Sequence, residues 1–118
     1  MKIEELLMYQ TDVMVLPAGQ ALFAEGDAGE AMYVLVSGTA DVMLHGKVLE
    51  TAKSGAILGE MAIIDNSPRA ATVVAREDCS LIAINANRFS ALTREVPDFA
   101  LHVMRAMSDR LRRLGKLL

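Results

Sequence analysis

A chain of 118 residues fits one domain of ordinary size, and its 53 % hydrophobic content is enough to fill a core, which excludes a disordered tail. The net charge of −3 is unevenly spread: residues 1–97 hold seven Lys/Arg against thirteen Asp/Glu, and residues 98–118 hold five against two. An acidic body lacks the broad basic face that direct nucleic-acid binding needs, and the single Cys79 can form neither an internal disulfide nor a thiolate metal cluster.

The opening "MKIEELLMYQ" puts Ile3, Leu6 and Leu7 at helical spacing, and its two glutamates stand where a signal peptide needs an apolar run. No apolar run reaches transmembrane length, so a cytoplasmic, reducing compartment is expected. From Asp12 to Asn85 short β-rich runs alternate with turn residues: "DVMVL", "ALFAEGDAGE", "AMYVLVSG", "TADVMLHG", "KVLETA", "TVVA" and "SLIAIN". Such spacing suggests an all-β sandwich or roll. Gly38 and Gly46 fall where tight hairpins would need a positive φ. After Asn85 the period becomes helical. "ANRFSALTREV" places Phe89, Leu92 and Val96 on one face, and Pro97 interrupts it. Asp98 then opens a longer helix. Its apolar stripe is Phe99, Val103, Met107, Leu111, Leu114 and Leu118, with Met104 beside it. Arg105, Arg110, Arg112, Arg113 and Lys116 are expected on the opposite, solvated face. The chain therefore reads as mainly β with flanking helices. One domain spans 1–118, with the roll at about 11–85 and two helices at about 86–118.

One stretch does more than connect strands. "LGEMAIIDNSPRAATVVA" (residues 58–75) joins Gly59 and Glu60 to a possible helical turn, then to Pro68-Arg69 and the small Ala70 and Ala71. A guanidinium offers paired donors to phosphate oxygens. Small neighbours and Gly59 would let a ligand reach the backbone, whose N–H groups can hold an anion. A carboxylate accepts hydrogen bonds, so Glu60 suits a ligand hydroxyl, with Arg69 neutralising the site. The residues thus point to a sugar phosphate with a free hydroxyl. The plain alternative is an exposed Glu60–Arg69 ion pair, worth little.

"GEMAIIDNSPRAATV" resembles the phosphate-binding cassette of cyclic nucleotide-binding domains: Gly-Glu-hydrophobic-Ala, a spacer, then Arg-small-Ala. "LFAEGDAGEAMYVLVSG" is similar to that family's upstream signature. The resemblance implies a jelly-roll-like β-roll followed by two helices. It implies that Glu60 accepts from the ribose 2′-hydroxyl and Arg69 binds the cyclic phosphate. Backbone groups of Gly59, Ala62, Ala70 and Ala71 would line the ligand, and Met61 would pack beneath it. In the family a Thr after the cassette arginine accompanies cyclic GMP preference. Ala70 stands there, so the expected ligand is cyclic AMP, with cyclic GMP the alternative. The C-terminal helix would cap the base, the candidates being Met104, Arg105, Met107, Ser108 and Leu111. The implied function is a regulatory, non-catalytic sensor with no cofactor or metal, signalling by movement of that helix.

Two other readings compete. A metal-dependent enzyme on a similar roll would need clustered histidines, and His45 and His102 are far apart in the sequence. A ligand-free roll could serve only for docking or dimerisation. The long tail stripe would suit a homodimer formed through the C-terminal helix.

Overall fold

The computed structural model describes Leu6 and residues 12–117, with side chains through Arg113. The expected N-terminal helix lies outside the described residues, except that Leu6 is helical and buried. The strands are β1 (Val13–Leu16), β2 (Ala21–Phe23), β3 (Ala31–Ser37), β4 (Ala40–Leu44), β5 (Lys47–Ala52), β6 (Ile57–Leu58), β7 (Thr72–Ala75) and β8 (Cys79–Asn85). A one-turn helix α1 (Met61–Ile64) separates β6 from β7, and α2 (Ala86–Glu95) and α3 (Pro97–Leu117) follow β8. All pairings are antiparallel, in two four-stranded sheets ordered β1-β8-β3-β6 and β2-β7-β4-β5. The fold is a β-roll followed by C-terminal helices.

The near-continuous apolar run of β3 has a structural cause: its sheet is covered on both faces. Met32 and Val34 of β3, Ile82 and Ile84 of β8 and Ile57 of β6 pack with Leu92 and Val96 and with Phe99 and Val103 of α3. Leu35, Leu58, Cys79 and Leu81 face the other way and meet Ala40, Ala52, Val73 and Ala75 inside the roll. The period of two along β8 thus serves two cores. β6 is too short at two residues to show a period, and the sequence reading missed it.

The hairpin glycines behave as expected, with φ of 86° at Gly38 and 77° at Gly46. Asn85 caps α2, its side chain accepting from the Arg88 amide at 2.8 Å. Val96 is extended (φ −123°, ψ 90°) and ends α2. α3 begins one residue before the expected Asp98, because Pro97 fits a first helical position, where its missing N–H is no loss. Phe99 meets Phe89 edge to face at 5.6 Å, fixing the angle between the helices. The tail stripe is only half core. Phe99 and Val103 are buried, Met107 is partly buried and Leu111 is 68 % exposed. The side chains of Leu114 and Leu118 lie outside the described residues. Met104 is 57 % exposed.

Candidate functional site

Two loops build the site together. The 24–30 turn is bonded by its backbone to the cassette: the Gly26 amide donates to Arg69 O at 2.8 Å, and the Arg69 amide to Asp27 O at 2.8 Å. Thr72 Oγ1 accepts from the Glu25 amide at 2.9 Å. The two sequence signatures are therefore one structural unit. Beyond β6, Gly59 (φ 73°) reverses the chain into α1, where the Ile63 and Ile64 amides donate to Glu60 O at 3.0 and 3.1 Å. Asp65 Oδ1 accepts from the amide (3.0 Å) and hydroxyl (2.5 Å) of Ser67, closing a tight turn around Asn66 at φ 58°. These bonds hold the Asp65 carboxyl below its ordinary value of 3.8.

Arg69 is 6 % exposed and Glu60 4 %, so the exposed ion pair is ruled out. The two are not partners either. Arg69 Nη1 donates to Gly59 O at 3.0 Å and Nη2 to Ala31 O at 2.7 Å. Its guanidinium lies 4.2 Å from the Phe23 ring centroid and 5.8 Å from that of Tyr33. Nε is buried without a hydrogen-bond partner. A Cβ at Gly29 or Gly59 would come inside 3.0 Å of this guanidinium. The glycine at position 59 is needed to admit Arg69.

Glu60 is neutralised from elsewhere, which corrects the expectation that Arg69 does so. Arg110 of α3 donates from Nη1 to Glu60 Oε1 and from Nη2 to Ile57 O. Its Nε donates to Glu50 Oε1 at 3.3 Å, and Arg113 Nη1 donates to Glu50 Oε2 at 2.5 Å. Burial pushes the Arg110 guanidinium down, but attraction and hydrogen bonds from Glu60 and Glu50 outweigh it, leaving it raised above its ordinary value. The expectation that Arg110 faces solvent is thus overturned. Its position carried the signal: it lies three residues after Met107 and seven after Val103, on the stripe's own face. Charge alone had assigned it to water. Glu50 was missed because a lone glutamate in a strand has no distinguishing mark.

A cavity of about 470 Å³ lies between these groups, within the range for small-molecule sites. Gly59, Glu60, Met61, Ala62, Arg69, Ala70 and Ala71 all line it. Val42, Leu44, Leu49, Leu58 and Val73 form apolar walls. From α3 come Met107, Arg110, Leu111 and Arg113. Of the capping candidates, Met107 and Leu111 are therefore at the cavity, whereas Met104, Arg105 and Ser108 are not. Three guanidiniums and two carboxylates line it, an excess of one positive charge. That composition suits a monoanion with a large apolar or aromatic part.

Among the described residues no group of three His, Cys, Asp or Glu could hold a metal ion. His45 lies near Glu25 (3.9 Å), and His102 Nε2 contacts Gly55 O at 2.9 Å. No described helix is long and apolar enough to cross a membrane.

The profile of the cyclic nucleotide-binding domain family matches residues 13–95. The chain is 38 % identical over 89 residues to a cAMP-dependent protein kinase regulatory subunit of Aspergillus niger, covering 74 % of this chain and 22 % of that protein. It is 32 % identical over 111 residues to the Pycsar effector protein XpPycTIR of Xanthomonas perforans, covering 93 % and 37 %. It therefore spans well under half of either relative. The crystal structure of the Thermus thermophilus catabolite activator protein superposes with a TM-score of 0.81 at 31 % identity, over 98 % of this chain and 57 % of that one. The cassette geometry, the roll and these matches agree, and the chain belongs to the cyclic nucleotide-binding domain family.

Proposed function

We propose that this domain is a cytoplasmic, non-catalytic sensor that binds cyclic AMP ahead of cyclic GMP and reports occupancy through the position of α3. One observation carries the reading: a buried guanidinium held only by neutral groups, two carbonyls and the Phe23 ring, at a cavity with one positive charge in excess. A cyclic phosphate supplies the missing counter-charge. Glu60 Oε1 is engaged by Arg110, so Oε2 is the oxygen to accept the ribose 2′-hydroxyl. Met61 and the backbone of Gly59, Ala62, Ala70 and Ala71 surround the sugar phosphate. Met107 and Leu111 cover the base against the apolar walls. Ala70 offers no hydroxyl to a guanine amino group, which favours adenine, as does the cAMP dependence named for the Aspergillus niger relative.

Calorimetry on the whole chain tests this directly. Cyclic AMP should bind at one site per chain and more tightly than cyclic GMP. Tighter cyclic GMP binding overturns the preference, and binding of neither overturns the reading.

The ligand-free alternative, a docking or dimerisation module, has its own support in Leu101, Met104 and Leu111, which are exposed on α3 at spacings of three and seven residues. A homodimer through this face is compatible with nucleotide binding. The calorimetry above separates the ligand-free reading from the first, and sedimentation of the parent and of Met104→Glu tests the pairing: a dimer that dissociates in the variant supports it, and a monomeric parent overturns it.

A further inference from the structure

β5 should show strict alternation, yet two consecutive residues of it, Leu49 and Glu50, both line the cavity. A bulge explains this. Val42 pairs with Glu50 and Met43 with Val48, so Leu49 is an extra residue opposite β4. A bulge re-aims side chains, and here it turns a carboxylate toward α3 from an edge strand of the second sheet. That carboxylate is fully used. Oε1 accepts from Arg110 and Oε2 from Arg113, one helical turn apart. Arg110 in turn holds Glu60. Glu50 therefore touches α3 twice and reaches the ligand acceptor through one intermediate.

We infer that Glu50 is a positioning residue for the nucleotide site: it latches α3 to the bulged edge of β5 and holds Arg110 on Glu60. The inference rests on the nucleotide-binding reading above. Glu60 is buried and needs a cation, and Arg110 supplies it only while its guanidinium stays oriented. Ile57 O fixes one nitrogen, and Glu50 fixes Nε. Without Glu50 the planar fork can pivot, and Arg113 loses its carboxylate partner and keeps only the Asp109 carbonyl at 3.5 Å. The helix would then leave the cavity more often, and with it Met107 and Leu111. Because the latch would hold α3 over a seated ligand, its loss should appear mainly in the dissociation rate.

The test uses Glu50→Gln, which keeps size and packing but removes the charge, and Glu50→Asp, which keeps the charge with a shorter reach. In the nucleotide-free chain, hydrogen exchange over residues 104–113 should speed up several-fold in Glu50→Gln while both sheets stay protected. Cyclic AMP affinity should fall roughly tenfold, carried by faster dissociation of a fluorescent analogue. Glu50→Asp should lie between the variant and the parent in both readouts. The inference is overturned if Glu50→Gln exchanges and releases nucleotide like the parent. It is also overturned if exchange speeds up uniformly across the sheets, which would mark a general loss of stability. Should the parent bind no nucleotide, the functional reading fails by itself. The exchange of α3 still decides the latch.

Discussion

Two arginines face the same cavity, and they are held in opposite ways. Arg69 sits on the floor, in the loop between α1 and β7. Its partners are two carbonyls and an aromatic face, none of which carries a charge. Arg110 comes from the roof, on α3, and its partners include two carboxylates. Arg69 is buried and Arg110 half-buried, but only Arg110 is electrically balanced. An arginine balanced by carboxylates holds structure together. An arginine oriented by neutral groups keeps its charge for a visitor. On the proposed function the same residue type would serve as receptor on one side and fastening on the other, and the partners distinguish them.

That contrast can be broken most forcefully at the floor. Arg69→Ala should cut cyclic AMP affinity by at least tenfold, because a charge-assisted phosphate contact contributes about 1.5–3 kcal/mol. A folded variant that binds as tightly as the parent in calorimetry would remove Arg69 from the site. Gly59→Ala should approach the same loss without removing the ligand-facing charge, since its Cβ displaces the Arg69 guanidinium and strains a positive φ. Restored binding in a double variant with a smaller side chain at position 69 would be the wrong outcome for that account.

The roof is expected to matter less for binding. Deleting residues 104–118 should weaken cyclic AMP binding without abolishing it, as the floor keeps the phosphate and sugar contacts. Full affinity in the folded, truncated chain would reduce α3 to scaffold. Smaller still, Ala70→Thr should raise cyclic GMP affinity by a few-fold, one neutral hydrogen bond being worth about 1 kcal/mol. Unchanged selectivity would show that the base edge is read elsewhere.

The gentlest probe is pH. Asp65 has its folded value lowered by Ser67, so its contribution is complete above the unfolded value of 3.8 and is lost as pH falls through the folded one. The Ser67 amide resonance should therefore titrate below pH 3.8, while the two sheet cores, built of apolar side chains, stay unchanged. A Ser67 titration midpoint above 3.8 would contradict the turn as described.

How much of this was legible beforehand depends on whether one segment held the information. The cassette is contiguous, and its seven expected residues all reach the cavity. The roll was legible from alternation and turn glycines, apart from the two-residue β6. What escaped was long-range and polar. Arg110 and Glu60 are fifty residues apart, and Arg110 and Glu50 sixty. Neither pairing leaves a periodic trace, and a charged residue on a helix defaults to the solvent side. The apolar stripe misled in a related way. It continued past Val103, but the roll beneath it did not, so Leu111 emerged at the rim instead of in the core.

The extended residue Val96, where α2 ends and α3 begins, has a mechanical consequence. From there to Arg110 the helix runs roughly 20 Å, and to its last turn roughly 30 Å. A pivot of about 10° at that joint would carry the Arg110 backbone about 3 Å, enough to pull its guanidinium off Glu60, and the far end about 5 Å. On the proposed function the domain would be geared: a displacement the size of one hydrogen bond at the pocket would become a larger stroke at the last turn of α3.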